Sequence, residues 1–529
     1  MVELRPYQKE AKAAIIKSWK EYQKSLLVLP TGTGKTIVFS KVAEDRTKAG
    51  RVLIMAHREE LLQQAADKIW KSCGIPCSLE KAESSCLDSL EPITVGSVQT
   101  LMSERRLSKF SSDYFRTIIV DEAHHALSDS YQRVLNHFSN AKVLGVTATP
   151  DRGDKKNLGQ YFENLAYEYS LLDAINDGYL CSIKAKTIPL QIDLNQVKIS
   201  QGDYQAGDLG DALEPYLEQI ADAMTAYKDR KTVVFLPLVA TSQKFCQMLN
   251  DRGFRACEVN GNSPDRARIL QDYEDGKYSV ICNSMLLTEG WDCPSVDCIV
   301  ILRPTKVRSL YCQMVGRGTR LHPGKDHLLL LDFLWMCDRH ELCRPAYLIA
   351  KNEKEAKAIT DKITDSEDGL EIREAEELVA KDAAAEREAA LARELEAQRK
   401  KKSKLINPLA VELLLNVGDY EPEFMWQMEL PTDKQLKAIE GFGIDPSSIR
   451  DKGMASLYLD KCFKRREIGL ASPKQVNQLA RYGFPHPEMW KKEDAAKVMG
   501  VLASNHWRLP GHLDPNTWCP KYIKELSVS

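Results

Sequence analysis

The sequence has no run of eighteen apolar residues, so no segment is long enough to cross a bilayer as a helix. Its start, MVELRPYQKEAKAAIIKSWK, lacks the charged, apolar and small-residue regions of a secretory signal. These absences predict a soluble cytoplasmic protein without a membrane partner. The chain also has no large excess of charge of one sign, since its formal net charge is −2. This value does not decide whether the protein binds nucleic acid, because a basic groove can lie on a neutral body.

The fourteen cysteines include no CxxC pair, so the common structural zinc patterns are missing. Most of them are predicted to be reduced thiols in a core. One exception is CDRHELC, in which Cys337, His340 and Cys343 have ligand-like spacing but no evident fourth partner. Zinc there stays an alternative to plain thiols. The sequence also shows no nuclease or methylase constellation.

A chain of 529 residues is too long for one core and predicts about three or four domains. Apolar, β-rich runs alternate with helical stretches through the first 345 residues, as is typical of parallel sheets covered by helices. The runs SLLVLP, RVLIMAH, RTIIVDE and AKVLGVTA indicate one sheet; KTVVFLP, YSVICNS and DCIVILRP indicate a second. We therefore predict the α/β class, with two tandem parallel-sheet domains at 1–175 and 176–350.

From about Glu353 to Lys404 the composition shifts to Ala, Glu, Lys and Arg, as in AKDAAAEREAALARELEAQRKKKSK. This pattern favours an exposed helix with many i,i+4 charge pairs. We predict a charged helical linker over 351–405. A solvated spacer is favoured over a coiled coil, because no sustained heptad pattern is present.

The last predicted domain, 406–529, contains an internal repeat. A shift of forty residues sets TDKQLKAIEGFGI over SPKQVNQLARYGF. Each copy predicts a helix capped at Thr432 or Ser472, a stop that contains glycine, and a second helix. Between Pro431 and Pro510 there are fourteen Lys and Arg against nine Asp and Glu, with KRR at 464–466 between the copies. This small α-helical module could bind nucleic acid, dock a protein or simply pack.

The loop TGTGKT follows the strand SLLVLP directly. Its glycines let backbone N–H groups approach a phosphate, and the next helix directs its positive end there. Lys35 would meet the β and γ phosphates of ATP, and Thr36 would hold Mg²⁺. Leu29 stands where the full GxxxxGK[ST] template has glycine, so this is the PTGTGKT variant. The residues predicted to bind the nucleotide here are Thr31, Gly32, Thr33, Gly34, Lys35 and Thr36.

A pair of acids ends the apolar strand in RTIIVDEAHH. An ordinary strand end would more often carry a turn residue than two carboxylates followed by histidines. Phosphoryl transfer explains the pair: Asp121 can help hold Mg²⁺, and Glu122 can position or deprotonate the attacking water. We therefore predict that both residues are catalytic.

Eight motifs, in this order, resemble those of superfamily 2 helicases: LRPYQ, PTGTGKT, AHREEL, GSVQTL, DEAHH, TATP, TEGWDCP and QMVGRGTR. They are most similar to DEAH-type, XPB-like and RadD-like motors and to restriction-enzyme translocating subunits. The resemblance covers about residues 1 to 345 and implies two RecA-like domains that hydrolyse ATP between them. It further implies that Arg5 and Gln8 recognise adenine, although Gln8 alone could be a helix cap. Thr147 and Thr149 would link the phosphate and nucleic-acid sites.

The resemblance also assigns residues of the second domain. Arg317 and Arg320 lie three apart on one helical face and would point across the cleft at the γ phosphate. Gln313 would help orient the attacking water, and Gly290 and Asp292 would sense the nucleotide. A surface ion pair is the alternative for one of the two arginines, but the motif argues against it for both.

A motor needs contacts that grip a nucleic-acid backbone without identifying bases. By resemblance, the residues predicted to make them are Arg58, Gln99, Thr100, Thr288 and Thr305. Any of the hydroxyl groups could instead cap a helix. DNA is the favoured substrate. The open alternatives are translocation on duplex DNA without unwinding, an RNA substrate, or an ATP-controlled scaffold that binds nucleic acid through the repeats.

Overall fold

The computed structural model describes residues 2–56, 60–148, 158–200, 203–284, 286–288, 291–336, 342–399, 406, 408–515 and 518–526. The chain divides into two compact units, Met1–Val379 and Ala380–Ser529. Within the described ranges, no helix combines the length and apolar character that crossing a membrane requires.

The first unit contains two lobes, each built on a sheet. The strands of the first lobe are β1 (Lys24–Val28), β2 (Arg51–Ala56), β3 (Cys77–Glu80), β4 (Ile93–Ser97), β5 (Phe115–Asp121), β6 (Lys142–Thr147) and β7 (Asn164–Glu168). Its helices are α1 (Pro6–Ser18), α2 (Lys35–Arg46), α3 (Glu60–Cys73), α4 (Val98–Leu101), α5 (Glu104–Leu107), α6 (Asp129–His137) and α7 (Leu171–Asn176). The sheet order is β3-β4-β2-β5-β6-β1-β7, and every pairing is parallel.

Both faces of this sheet are covered, which explains why its strands are continuous apolar runs. Ile119 of β5 packs in the core that contains Ile15 of α1 and Val38 of α2. Its neighbour Ile118 points to the opposite core, with Tyr131 of α6. The four strands predicted for the first sheet are confirmed.

The second lobe repeats the design. Its strands are β8 (Ser182–Asp193), β9 (Ile199–Ser200), β10 (Asp203–Tyr204), β11 (Thr232–Phe235), β12 (Ala256–Val259), β13 (Val280–Asn283), β14 (Cys298–Ile301), β15 (His327–Met336) and β16 (Leu370–Glu371). Its helices are α8 (Ala206–Leu213), α9 (Leu217–Met224), α10 (Val239–Asp251), α11 (Arg266–Glu274), α12 (Arg308–Val315), α13 (Glu353–Thr364) and α14 (Ile372–Arg399). The sheet order is β12-β13-β11-β14-β15-β8-β16, parallel except for β16, while β9 and β10 form a separate hairpin. The three strands predicted for this sheet are confirmed.

The interpretation of 351–405 as an exposed helical linker is wrong for its first part. Ala356, Ile359 and Ile363 of α13 are buried in the core of the second lobe, as is Ala375 of α14. Charged residues outnumber these apolar ones, so the composition concealed a helix with one buried face.

The second unit, called the C-terminal unit below, is helical in its described part. Besides the end of α14, its helices are α15 (Pro408–Leu415), α16 (Asp433–Gly441), α17 (Lys452–Glu467), α18 (Pro473–Tyr482), α19 (Lys492–Ser504) and α20 (Lys521–Leu526). The hydroxyls of Thr432 and Ser472 cap α16 and α18, each accepting a backbone N–H at 3.3 Å. Gly443 and Gly483 follow these helices with φ of 82° and 88°. The predicted caps and glycine stops of both copies are therefore confirmed.

The KRR sequence does not form a uniformly exposed basic patch. The Arg465 guanidinium donates to the carbonyl oxygen of Ala471, at 2.5 Å from Nε, and to that of Glu488. Burial also lowers its pKa. Arg465 thus links the end of α17 to the second copy.

Candidate active site

The segment between β1 and α2, called the phosphate loop below, makes a tight turn. Gly32 and Gly34 have φ of 89° and 81°, a region that glycine enters without steric cost. The Thr33 hydroxyl donates to the carbonyl oxygen of Pro30 at 2.7 Å and closes the turn. Lys35 is the first residue of α2, whose first N–H groups have no partner within the helix. The loop is therefore shaped to receive an anion.

The predicted acidic pair lies beside this loop. Asp121 ends β5, and Glu122 follows it with a left-handed φ of 52°. The Lys35 ammonium is 3.5 Å from Oε1 of Glu122, and the two side chains are 13% and 23% exposed. Oε2 of Glu122 is buried, accepts no hydrogen bond from the described residues, and lies 3.6 Å from Nδ1 of His124. A buried acceptor without a donor suits an oriented water.

The two carboxyl groups are tuned in opposite directions. Burial raises the pKa of Asp121 to about 6, and the adjacent Glu122 charge adds to the shift. Burial also acts to raise the pKa of Glu122, but the nearby Lys35 ammonium, with smaller contributions from the adjacent histidines, outweighs it, and the pKa is lowered. Glu122 is therefore ionised at neutral pH.

The residues predicted for Mg²⁺ have the correct donor chemistry. Thr36 in the first turn of α2 offers a hydroxyl, and Asp121 offers a carboxylate. Mg²⁺ prefers oxygen ligands, keeps several waters and is commonly held by one or two protein groups plus phosphates. No cluster of three or more His, Cys, Asp or Glu suited to a metal occurs in the described ranges. Cys337 and His340 of the alternative zinc site lie outside them.

The LRPYQ motif is attached to the phosphate loop. The Gln8 side-chain amide donates to the carbonyl oxygen of Thr33 at 2.9 Å, and the Tyr7 hydroxyl donates to the same oxygen at 2.5 Å. Oε1 of Gln8 accepts the backbone N–H of Arg5 at 3.0 Å, and the Arg5 guanidinium lies 4.9 Å from the ring centre of Tyr179. Sequence reasoning did not assign a role to Tyr7, although it stands within the motif. Adenine recognition by Arg5 and Gln8 stays a prediction.

The second lobe meets the phosphate loop through α12 and the turn after it. A Cβ added to Gly316 would lie 2.6 Å from Cβ of Thr31. Likewise, a Cβ added to Gly32 would lie 3.6 Å from Cγ of Arg320. The structure therefore brings Arg320 together with the loop that precedes Lys35.

The other residues predicted in the second lobe surround this contact. Arg320 forms an ion pair with Asp292, and Nη1 of Arg317 donates to the carbonyl oxygen of Trp291 at 2.5 Å. Gln313 is buried within α12, 7% exposed. Both arginines are thus attached to the segment that begins at Trp291, whereas Gly290 lies outside the described residues.

The peptide that connects the two lobes also reaches the site, which the sequence did not predict. Cδ2 of Leu180 lies 3.1 Å from where a Cβ on Gly32 would stand. The backbone N–H of Cys181 donates to the carbonyl oxygen of Thr319 at 2.8 Å. Leu180 and Cys181 therefore join the phosphate loop of one lobe to the arginine-bearing turn of the other.

The structure describes only some of the residues proposed to contact nucleic acid. Gln99 is exposed in α4 and accepts a hydrogen bond from the Ser97 hydroxyl at 2.7 Å, and Thr100 beside it is partly exposed. Thr147, predicted to link the two sites, is buried at the end of β6. The structure does not describe Arg58, Thr149 or the side chain of Thr288.

The prediction of a direct nucleic-acid contact is wrong for Thr305 in this conformation. Its side chain is fully buried, and its hydroxyl donates to Oδ2 of Asp203 at 2.9 Å. Asp203 also accepts the backbone N–H of Lys306 at 3.1 Å and lies 3.7 Å from the Arg303 guanidinium. Asp203 of the β9–β10 hairpin therefore fixes the loop that leads into α12.

Two family models match the chain. Residues 1–152 match the res subunit of type III restriction enzymes, and residues 215–322 match the helicase conserved C-terminal domain. The matches contain the phosphate loop with the acidic pair and the arginine-bearing turn, respectively.

Three curated relatives show how far the likeness extends. A Saccharomyces cerevisiae protein provisionally named ATP-dependent helicase IRC3 is 33% identical over 63% of this chain and 51% of its own. A Schizosaccharomyces pombe protein, provisionally named a mitochondrial ATP-dependent helicase, is 34% identical over 64% of this chain and 58% of its own. DNA 3'-5' translocase XPB2 of Sulfurisphaera tokodaii is 25% identical over 62% and 81%. The chain spans between half and three fifths of the two fungal proteins.

Solved structures share the fold. An HsdR fragment of a type I restriction enzyme from Vibrio vulnificus aligns with a TM-score of 0.50 and 24% identity, over 62% of this chain and 64% of its own. The type ISP restriction-modification enzyme LlaBIII, solved bound to DNA, aligns with a TM-score of 0.50 and 16% identity, over 96% and 43%. At these identities the likeness concerns the fold alone.

Proposed function

We propose that this protein, whose two matched domains form a superfamily 2 helicase core, is an ATP-driven motor that moves on DNA. The observation that carries the proposal is the meeting of Arg320 with the phosphate loop of the other lobe. The same loop leads into Lys35, which lies 3.5 Å from Glu122. An anion in this loop would be enclosed by groups from both lobes, so its hydrolysis can drive their relative motion.

The first lobe supplies the phosphate site and the base. The loop N–H groups and Lys35 hold the β and γ phosphates, while Thr36 and Asp121 would hold Mg²⁺. Mg²⁺, when bound, neutralises charge on the phosphates. Glu122, ionised because nearby cations lower its pKa, orients and deprotonates the attacking water.

The second lobe supplies charge to the transition state. Arg320 and Arg317 stabilise the γ phosphoryl group, and Gln313 helps to orient the water. In the structure Arg320 forms an ion pair with Asp292. We infer that nucleotide binding exchanges this ion pair for a phosphate contact, with Gly290 and Asp292 sensing the change.

The track is proposed to be DNA. The S. tokodaii relative is named a DNA translocase, and a second relative is a subunit of the Escherichia coli restriction endonuclease EcoAI. ATP closes the cleft and hydrolysis reopens it, so that contacts on the two lobes alternate in affinity. The proposed contacts with the DNA backbone are Arg58, Gln99 and Thr100 in the first lobe and Thr288 in the second.

The test is an ATPase assay with equal nucleotide concentrations of single-stranded DNA, duplex DNA and single-stranded RNA. We expect DNA to raise the turnover and Lys35→Ala to abolish it with an unchanged thermal midpoint. A strand-displacement assay then separates unwinding from translocation on duplex DNA. Stimulation by RNA alone would show that the motor acts on RNA rather than DNA. If no nucleic acid stimulated the ATPase, an ATP-controlled scaffold would be favoured.

A further inference from the structure

In the C-terminal unit, the first repeat copy exposes an aromatic pair where its two helices end. Phe442 closes α16 and Phe463 lies near the end of α17, with ring centres 5.6 Å apart and ring planes at 83°. The Phe463 side chain is 46% exposed, and Phe442 is partly buried. The two rings together form a small exposed aromatic surface at this end of the copy.

The second copy places aromatic residues at the corresponding end. Tyr482, forty positions after Phe442, donates its hydroxyl to the carbonyl oxygen of Trp507 at 2.7 Å. Trp507 follows α19 and is 46% exposed. His506 and Trp507 have successive positive φ values of 52° and 59°, a region that residues with a side chain seldom enter.

Cationic residues adjoin both aromatic pairs in the sequence. Lys464 and Arg466 follow Phe463 and are exposed, Arg508 follows Trp507 and is exposed, and the half-buried Arg481 precedes Tyr482. Arg465 is excluded from this set because its guanidinium binds backbone carbonyls. Among the described residues, none of the four flanking cations forms an ion pair with a carboxylate. Each copy therefore has at least one exposed cation close in sequence to its exposed ring.

We propose that these two aromatic–cationic clusters, one in each repeat copy, are platforms that bind single-stranded nucleic acid. Base faces stack on Phe463 and Trp507, and the flanking cations contact the phosphates. A single strand is favoured over a duplex because paired bases do not present their faces to a protein. A nucleic acid is favoured over a protein partner because residues 431–510 carry fourteen Lys and Arg against nine Asp and Glu. The inference extends the proposed function, since it gives the motor a second contact with its track.

The test measures binding of a fluorescent oligothymidylate of about twenty nucleotides to the full chain without ATP, a length that exceeds one stacking site. Phe463→Ala and Trp507→Ala should each weaken binding about tenfold, whereas Phe463→Tyr and Trp507→Phe should retain it. Leu430→Ala is the matched control, because Leu430 is an 83% exposed apolar residue of the same unit outside both clusters. Lys464→Ala should lower the salt dependence of log K by about 0.7.

Several outcomes decide the proposal. Unchanged affinity in both alanine variants, or equal weakening by Leu430→Ala, would overturn it. Tighter binding of a duplex than of the single strand, with the same loss in the variants, would overturn it too. Equal losses for oligothymidylate and oligouridylate support it, because stacking is common to both. Basal ATPase activity should not change in these variants. If the variants weakened binding but no nucleic acid stimulated the ATPase of the parent protein, the proposed motor function would be refuted and the binding platforms would stand.

Discussion

Glu122 has a left-handed backbone, φ 52°, immediately after a buried strand. Such a conformation costs about 1–3 kcal/mol for a residue that is not glycine, and it persists only where the surroundings hold it. Here β5 is paired on both sides up to that point, so the backbone direction is fixed. This backbone conformation places the Glu122 carboxylate beside Lys35 rather than in the core.

Replacing Glu122 by Gln should remove the base while it keeps the size of the side chain. We expect kcat to fall at least about 100-fold, because general base catalysis typically contributes this much or more. Binding of a fluorescent ATP analogue should persist, since the phosphate loop is intact. Steady-state ATPase and equilibrium binding check this, and a kcat within about threefold of the parent would remove Glu122 from the reaction.

The Asp121 pKa, raised to about 6 mainly by burial, predicts a pH-dependent metal requirement. Mg²⁺ must displace the proton, so below pH 6 its affinity should fall up to about tenfold per pH unit; above pH 6 it should level off. The Mg²⁺ concentration for half-maximal ATPase, measured between about pH 5 and pH 8, reports this. Asp121→Asn should bind Mg²⁺ weakly at every pH, and an equal pH dependence in both proteins would exclude Asp121 as the ligand.

Helix α12 and the turn after it are positioned by close backbone contact rather than by long side chains. Gly316 abuts Thr31, and Asp203 fixes the loop before the helix through Thr305 and Lys306. The helix that carries Gln313 is therefore held at both ends. Its placement relative to the phosphate loop depends on the absence of one methyl group.

Gly316→Ala should separate the two elements. The added Cβ would lie 2.6 Å from Thr31 Cβ and 2.8 Å from the carbonyl oxygen of Cys312, so α12 must shift. We expect kcat to fall by about 10- to 100-fold, since a misplacement of about 1 Å can cost this much. The matched control is Gly207→Ala, where an added Cβ meets nothing within 4 Å. Equal activity in the two variants would contradict the role of this contact.

Features encoded within a few residues could be predicted from the sequence. The apolar strands, the phosphate loop and the caps at Thr432 and Ser472 each depend on local pattern, and the structure has them. Thr305 and Arg465 could not be placed in the same way. Their roles depend on Asp203 and on carbonyl groups that come near only after folding.

The first unit extends past the predicted second domain, because α13 and the start of α14 complete its core. Three apolar residues of α13, Ala356, Ile359 and Ile363, are each at most 2% exposed. Burying an isoleucine contributes about 1.5–3 kcal/mol, so the loss of α13 should lower the stability of the lobe measurably. The charged composition of the segment gave no sign of this.

Two shortened chains should therefore differ. A chain that ends at residue 350 should unfold at a lower temperature and aggregate, because it exposes the surface that α13 covers. One that ends at residue 382 keeps Ile372 and Ala375 in place and should retain basal ATPase activity. Thermal denaturation and turnover of the two proteins provide the comparison. Equal midpoints would show that α13 is dispensable.

The connecting peptide at Leu180 and Cys181 touches the phosphate loop and the turn that follows α12. The peptide that links the two lobes therefore also contacts the loop proposed to hold the phosphates. A shift of that loop by a fraction of an ångström would change its contact with Leu180 directly, without passing through either sheet. A substitution at Leu180 should consequently affect the phosphate loop and the connection between the lobes together.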